Sequence, residues 1–158
     1  MIDGVKVKQL KVLPDDRGRL MEVLRSDEPF FEKFGQVYVT TCVPGVAKAW
    51  HFHKLQSDFF TCVKGKMRLV LYDSRDNSPT KGKINEFIIS MSENPVLVKI
   101  PQLVYHGFEC ASDEESIVIN IPDRAYNRPP FSAEQPDEHR LPFDSKDIPY
   151  KWNANKGG

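Results

Sequence analysis

Apolar and polar residues alternate along most of this chain with a period of two, the period that separates the two faces of a β-strand. Across residues 66–73, Met67, Leu69 and Leu71 fall on one face and Arg68, Val70 and Tyr72 on the other. Across residues 116–121, Ile117, Ile119 and Ile121 alternate with Val118 and Asn120. The same pattern predicts strands at 36–43, 47–53, 58–63, 85–90, 96–100 and 104–110. Residues 5–13 read as an edge strand whose phase slips between Val7 and Leu10, the mark of a bulge or a break. A turn at 14–18 follows, Pro-Asp-Asp-Arg-Gly, then a second strand over 19–25. Residues 26–34 are predicted to hold a short helical turn capped by Ser26 or Asp27, and 74–82 a polar loop.

About ten short strands with frequent turn signals and little helix predict an all-β sandwich or barrel. The chain has 158 residues, enough for one domain with a sizeable core. Six of its twelve prolines lie beyond Ile121, so a core over roughly 1–122 and an irregular tail over roughly 123–158 are expected. Phe59, Phe60, Met67 and Leu69 are core candidates. Positive and negative charges balance at 22 each with pI near 6.9, and no basic run tracks a phosphate backbone, so no nucleic-acid partner is expected. No apolar run reaches membrane-spanning length and the first residues lack the apolar core of a signal peptide, so no membrane association and a cytoplasmic location are expected. Cys42, Cys62 and Cys110 form no paired motif and read as reduced core thiols.

The chemistry concentrates between Gly45 and Gly65. His51 and His53 are one residue apart, so a strand points both imidazoles to one face. Asp58 adds a carboxylate and His106, after Pro101, a third imidazole, a donor set that a transition metal accepts. Trp50 and Phe52 point away from the histidines and read as packing, and His139 reads as an exposed residue of the tail.

Gly45, His51, His53, Asp58 and Gly65 fall at the spacing of the first cupin signature, and Pro101 with His106 resembles the second, with Leu103 where a glycine is usual. A narrower resemblance runs almost end to end. DDRGRLMEVLR, KAWHFH, VKGKMRLVLYDSRDNSPTKG, IPQLVYHGF, DRAYNRP and DEHRLPFDSKDIPYKW resemble the dTDP-4-dehydrorhamnose 3,5-epimerase family of sugar-nucleotide cupins. The resemblance implies a jelly-roll fold, no cofactor, and a homodimer that exchanges an N-terminal strand. It also implies epimerisation next to the C4 ketone of a nucleoside-diphosphate 4-keto-6-deoxy sugar, in surface polysaccharide or deoxysugar synthesis. By that resemblance His51 is the base, Tyr126 the candidate acid, and Arg17, Glu22, Gln36, Lys48, His106 and Asn120 contact the substrate.

The departures from the family are specific. Asp58 stands where the family has a catalytic lysine, Asn120 where it has its proton-donating tyrosine, and Lys48 replaces an arginine, losing the bidentate fork. The family's aspartate partner of the base comes from a segment C-terminal to anything matched here. His53 replaces a glutamine and restores a metal-binding set. The alternative is therefore a metal-dependent cupin enzyme with Zn, Fe, Mn or Ni on His51, His53, Asp58 and His106. A further alternative is a catalytically silent sugar-nucleotide binder.

Overall fold

In the computed structural model, which describes residues 1–128 and 135–158, the alternating segments become strands packed as two antiparallel sheets. The first sheet has the order β1-β9-β6-β11-β4: β1 is Lys6–Gln9, β4 Tyr38–Cys42, β6 Asp58–Lys64, β9 Val96–Ile100 and β11 Ser116–Asn120. The second has the order β12-β5-β10-β7-β8: β5 is Val46–Phe52, β7 Met67–Asp73, β8 Ile84–Ile89, β10 Val104–Cys110 and β12 His139–Arg140. β13 (Lys156–Gly157) runs parallel to β5. β2 (Val12–Asp15) and β3 (Gly18–Met21) form a separate hairpin around the predicted turn. This is the two-sheet sandwich expected of the jelly roll.

The period of two explains the layering. Met67, Leu69 and Leu71 face inward and meet Phe60, Cys62, Val98, Ile100, Phe108 and Val118 between the sheets. Val70, on the outer face of β7, is also fully buried, because Trp50, Ile148 and Trp152 cover it. Trp50 thus packs on the outer face, away from the histidines, as expected. The tail is mostly irregular, yet its apolar residues return to this outer face and its two short strands extend the sheet beside β5. His139 is not a free surface residue as expected: it pairs with Phe52 in β12 and its ring stacks on Phe52 with centroids 4.9 Å apart. Pro129, the end of the DRAYNRP motif, lies outside the described residues.

Three local expectations change. The predicted strand at 5–13 is broken at Leu10, which turns into the core while its N–H bonds Pro95 O. The phase slip was therefore a break. The second strand ends at Met21. No helix forms over 26–34: only a single turn, Phe31 N–H to Glu28 O, surrounds Pro29. Proline has no N–H to extend a helix and disfavours it in the residue before. The segment is held instead by Phe30 edge-on to Phe59 and by the Lys8–Glu28 and Lys99–Glu32 pairs. Cys42, Cys62 and Cys110 are free thiols, and burial raises the pKa of the first two.

Candidate active site

His51 lies near the end of β5, opposite His106 in the β5–β10 register. The register shifts between His106 and Phe108, and Gly107 sits at that point. A side chain there would meet Ala49 Cβ at 2.2 Å, so only glycine lets β10 approach β5 this closely. Leu103, at the motif's glycine position, adopts φ 65°, the left-handed conformation for which glycine is normally chosen. Its N–H bonds His53 O at 2.7 Å, which ties the turn before β10 to the histidine pair.

His51 opens onto a cleft between the sheets. One part, about 560 Å³, is lined by Tyr38, Thr40, Lys48, His51, Glu138 and Arg140 among others. A smaller part, about 300 Å³, shares Tyr38, His51, Glu138 and Arg140 with it and adds Gln36, His53, Gln56 and Tyr126. His53, Gln56 and Tyr126 continue into a third part lined by Lys33, Asp123 and Arg124. The three form one groove with His51 at its middle. Burial first, and then the neighbouring His106, push the His51 imidazole well below the usual histidine range. This favours the neutral imidazole, the form that can accept a proton.

Behind His51 lies a buried polar cluster that spans the sandwich. Asp58 from β6 takes hydrogen bonds at Oδ1 from Gln56 (2.9 Å) and Asn120 (2.8 Å). Its Oδ2 lies 3.3 Å from both His53 Nε2 and His106 Nε2. Burial alone would raise the Asp58 carboxyl, but His106, with His53 and Asn120, holds it below the usual carboxylate range. His106 donates Nδ1–H to Val104 O, and His53 donates Nδ1–H to Asp137 O. Both Nε2 atoms are then left facing Asp58, and His106 Nε2 has no well-aligned hydrogen-bond partner among the described residues.

The predicted site residues separate into groups. His51, Gln36, Lys48 and Tyr126 line the groove, with Lys48 Nζ bonded to Thr40 and Tyr126 N–H to Gln36. His106 and Asn120 do not: each is 1% exposed and faces Asp58. Their polar atoms are taken up by Asp58, by the backbone of Val104 and Phe59, and by the Tyr38 hydroxyl. Asp58 is equally buried, so its charge is not presented to the groove. Arg17 and Glu22 lie on and after the β2–β3 hairpin, exposed and paired with Asp15 and Arg25, and line no part of the groove. The donor atoms that converge belong to His53, Asp58 and His106; His51 is outside the set, since its ring packs edge-on to His106, centroids 4.2 Å apart. Sequence reading missed Tyr38, Glu138, Arg140 and Asp137. Glu138 and Arg140 were signalled only by the closing DEHR block, and Tyr38 only by its place on a predicted strand.

The comparisons agree with this architecture. The model of the dTDP-4-dehydrorhamnose 3,5-epimerase family matches residues 1–156. The chain is 40% identical to the spore coat polysaccharide biosynthesis protein SpsL of Bacillus subtilis, over 98% of each chain. It is 41% identical to a Haloferax volcanii protein named "Probable low-salt glycan biosynthesis epimerase", covering 99% of this chain and 98% of that one. Among solved structures, a dTDP sugar isomerase from Desulfovibrio desulfuricans superposes with a TM-score of 0.88 at 30% identity, covering 96% of this chain and 92% of that one. With the sandwich, the His51 groove and a family match across nearly its whole length, the chain belongs to the dTDP-4-dehydrorhamnose 3,5-epimerase family of nucleotide-sugar epimerases.

Proposed function

We propose that the protein epimerises a nucleoside-diphosphate 4-keto-6-deoxy sugar, with His51 as the base and no cofactor. The observation that carries the reading is His51 on the wall shared by two adjoining parts of the groove, which also hold Lys48, Arg140, Gln36 and Tyr126. His51 removes the proton next to the C4 ketone, since a base positioned against such a proton makes it removable. Lys48 and Arg140, on the same stretch of groove, supply positive charge for the diphosphate. Arg17 and Glu22 reach a nucleotide only across a subunit boundary, from the hairpin of a partner copy in a homodimer. The roles in the names of the curated relatives support a place in surface polysaccharide synthesis.

The test is solvent exchange. The protein is mixed with a dTDP-4-keto-6-deoxyhexose in deuterated buffer and the sugar C3 and C5 protons are followed by NMR. One or both signals decay, and His51→Asn slows the decay by at least about 100-fold while dTDP affinity holds. An unchanged rate in the variant ends the assignment of His51. Tight dTDP binding without exchange marks a silent binder or another sugar.

A second reading, a divalent metal at the buried cluster, is favoured by the geometry of that cluster. Two ligand atoms about 2.05 Å from one tetrahedral zinc stand about 3.3 Å apart, the spacing of each Nε2 from Asp58 Oδ2. Both imidazoles also fix their second nitrogen on a carbonyl, as metal-bound histidines do. Such an ion would neutralise Asp58 and supply Lewis acidity. Because His51 is outside this set, a metal there and His51 as base do not exclude each other. Untagged protein retaining near-stoichiometric Zn, Fe, Mn or Ni, lost in Asp58→Asn, supports the site; metal-free protein, or full retention in the variant, refutes it.

A further inference from the structure

We propose that Tyr38 is the acid that returns the proton on the face of the sugar opposite His51. The inference rests on the epimerase reading above and supplies the part that reading lacks. Inversion requires that the proton leave from one side of a carbon and come back on the other. His51 stands on β5 of one sheet and Tyr38 on β4 of the other, and both line the same two parts of the groove. The sheets are tied together at this point by Lys48 Nζ on Thr40 Oγ1 at 2.9 Å.

Asn120 orients the phenol. One of its amide N–H groups goes to Asp58 and the other to the Tyr38 hydroxyl at 2.9 Å, while its carbonyl takes Phe59 N–H. Every polar group of Asn120 is used, so the donor to Tyr38 cannot turn away. The Tyr38 oxygen accepts, and its own hydrogen meets no partner among the described residues. Burial pushes the Tyr38 hydroxyl up to about 12 and keeps it protonated, while the Asn120 bond favours the phenolate. Asn120, at the position of the family's tyrosine, therefore holds a tyrosine from the neighbouring strand.

The step balances. His51 takes the proton from the carbon beside the ketone, breaking C–H and leaving an enolate. The Tyr38 O–H bond breaks as a new C–H bond forms on the opposite face and the ketone is restored. The phenolate, held by Asn120 N–H, recovers a proton from water, and the His51 imidazolium loses one to water. No oxidant or second substrate is needed.

The test uses dTDP-4-keto-6-deoxyglucose in deuterated buffer, with C–H exchange and epimer formation measured separately. Wild type exchanges and inverts; if it does neither, the epimerase reading itself fails and the proposal with it. Tyr38→Phe and Tyr38→Leu keep exchange within a few-fold, because His51 removes a proton and returns a deuteron on the same face, while epimer formation falls at least about 100-fold. Tyr38 is 40% exposed, and an unchanged thermal midpoint in both variants checks that the fold is intact. Inversion at the wild-type rate in these variants overturns the proposal. Equal loss of exchange and inversion also overturns it, as does loss of inversion in Tyr126→Phe but not in Tyr38→Phe.

Discussion

Gly107 and Asn120 show how much of the site is settled one residue at a time. At Gly107 the constraint is space. The nearest atoms to an added Cβ are Ala49 Cβ at 2.2 Å and Ala49 Cα at 2.9 Å, and the neighbour to be displaced is in β5, two residues before His51. Gly107→Ala is expected to destabilise the fold by about 1–3 kcal/mol through overpacking. It should lower the urea midpoint and the exchange rate together; a variant as stable as wild type would show that β5 yields without strain. His51 and His53 were legible because their spacing is itself a strand pattern, and Asp58 because it completes the spacing of a signature with them. Tyr38 was not, because its meaning depends on Asn120, 82 residues away.

At the scale of elements, the loop between β7 and β8 has a structural part. Asp73, fully buried at the end of β7, accepts from Arg75 Nε (2.8 Å), Ser78 Oγ (2.6 Å) and Thr80 Oγ1 (2.6 Å). Thr80 in turn receives Asp3 N–H, and Arg75 bonds Asp3 O, so the SPTKG motif fastens the N-terminus to the second sheet. Burial raises the Asp73 carboxyl, but its bonds with Arg75, Ser78 and Thr80 win and hold it below the usual range. A depressed folded pKa stabilises fully above the unfolded value of about 3.9 and is lost as pH falls through the folded value. Asp73→Ala, which leaves Arg75 without its partner, is expected to cost about 3–5 kcal/mol at pH 7. Asp73→Asn should flatten the loss of stability below pH ~4. Thermal melts from pH 7 downward check both; parallel wild-type and Asn profiles would remove Asp73 from the acid response.

For the whole molecule, β4 is the outer strand of its sheet and leaves Val39 exposed, with Val37 exposed just before it, while the β2–β3 hairpin exposes Leu13 and Leu20. An open edge carrying apolar residues invites pairing with a second copy. Val39→Glu is expected to convert a dimer to a monomer in size-exclusion chromatography with light scattering; a monomeric wild type would end the dimer proposal. Among the described residues no helix is long and apolar enough to cross a membrane. Most strands, the two-sheet class, the inward faces and the His51–His53 pair could be read along the chain. All of these follow from periodicity and spacing within a few residues, where backbone geometry alone sets side-chain direction. Only the tertiary structure decided that Leu10 breaks its strand, that the tail covers the outer face, and that Asp58, His53 and His106 form a cluster without His51. It also brought Tyr38 and His51, from different sheets, to the same groove. Those outcomes depend on which strands become neighbours, set by burial of apolar faces and pairing of buried polar groups over the whole chain.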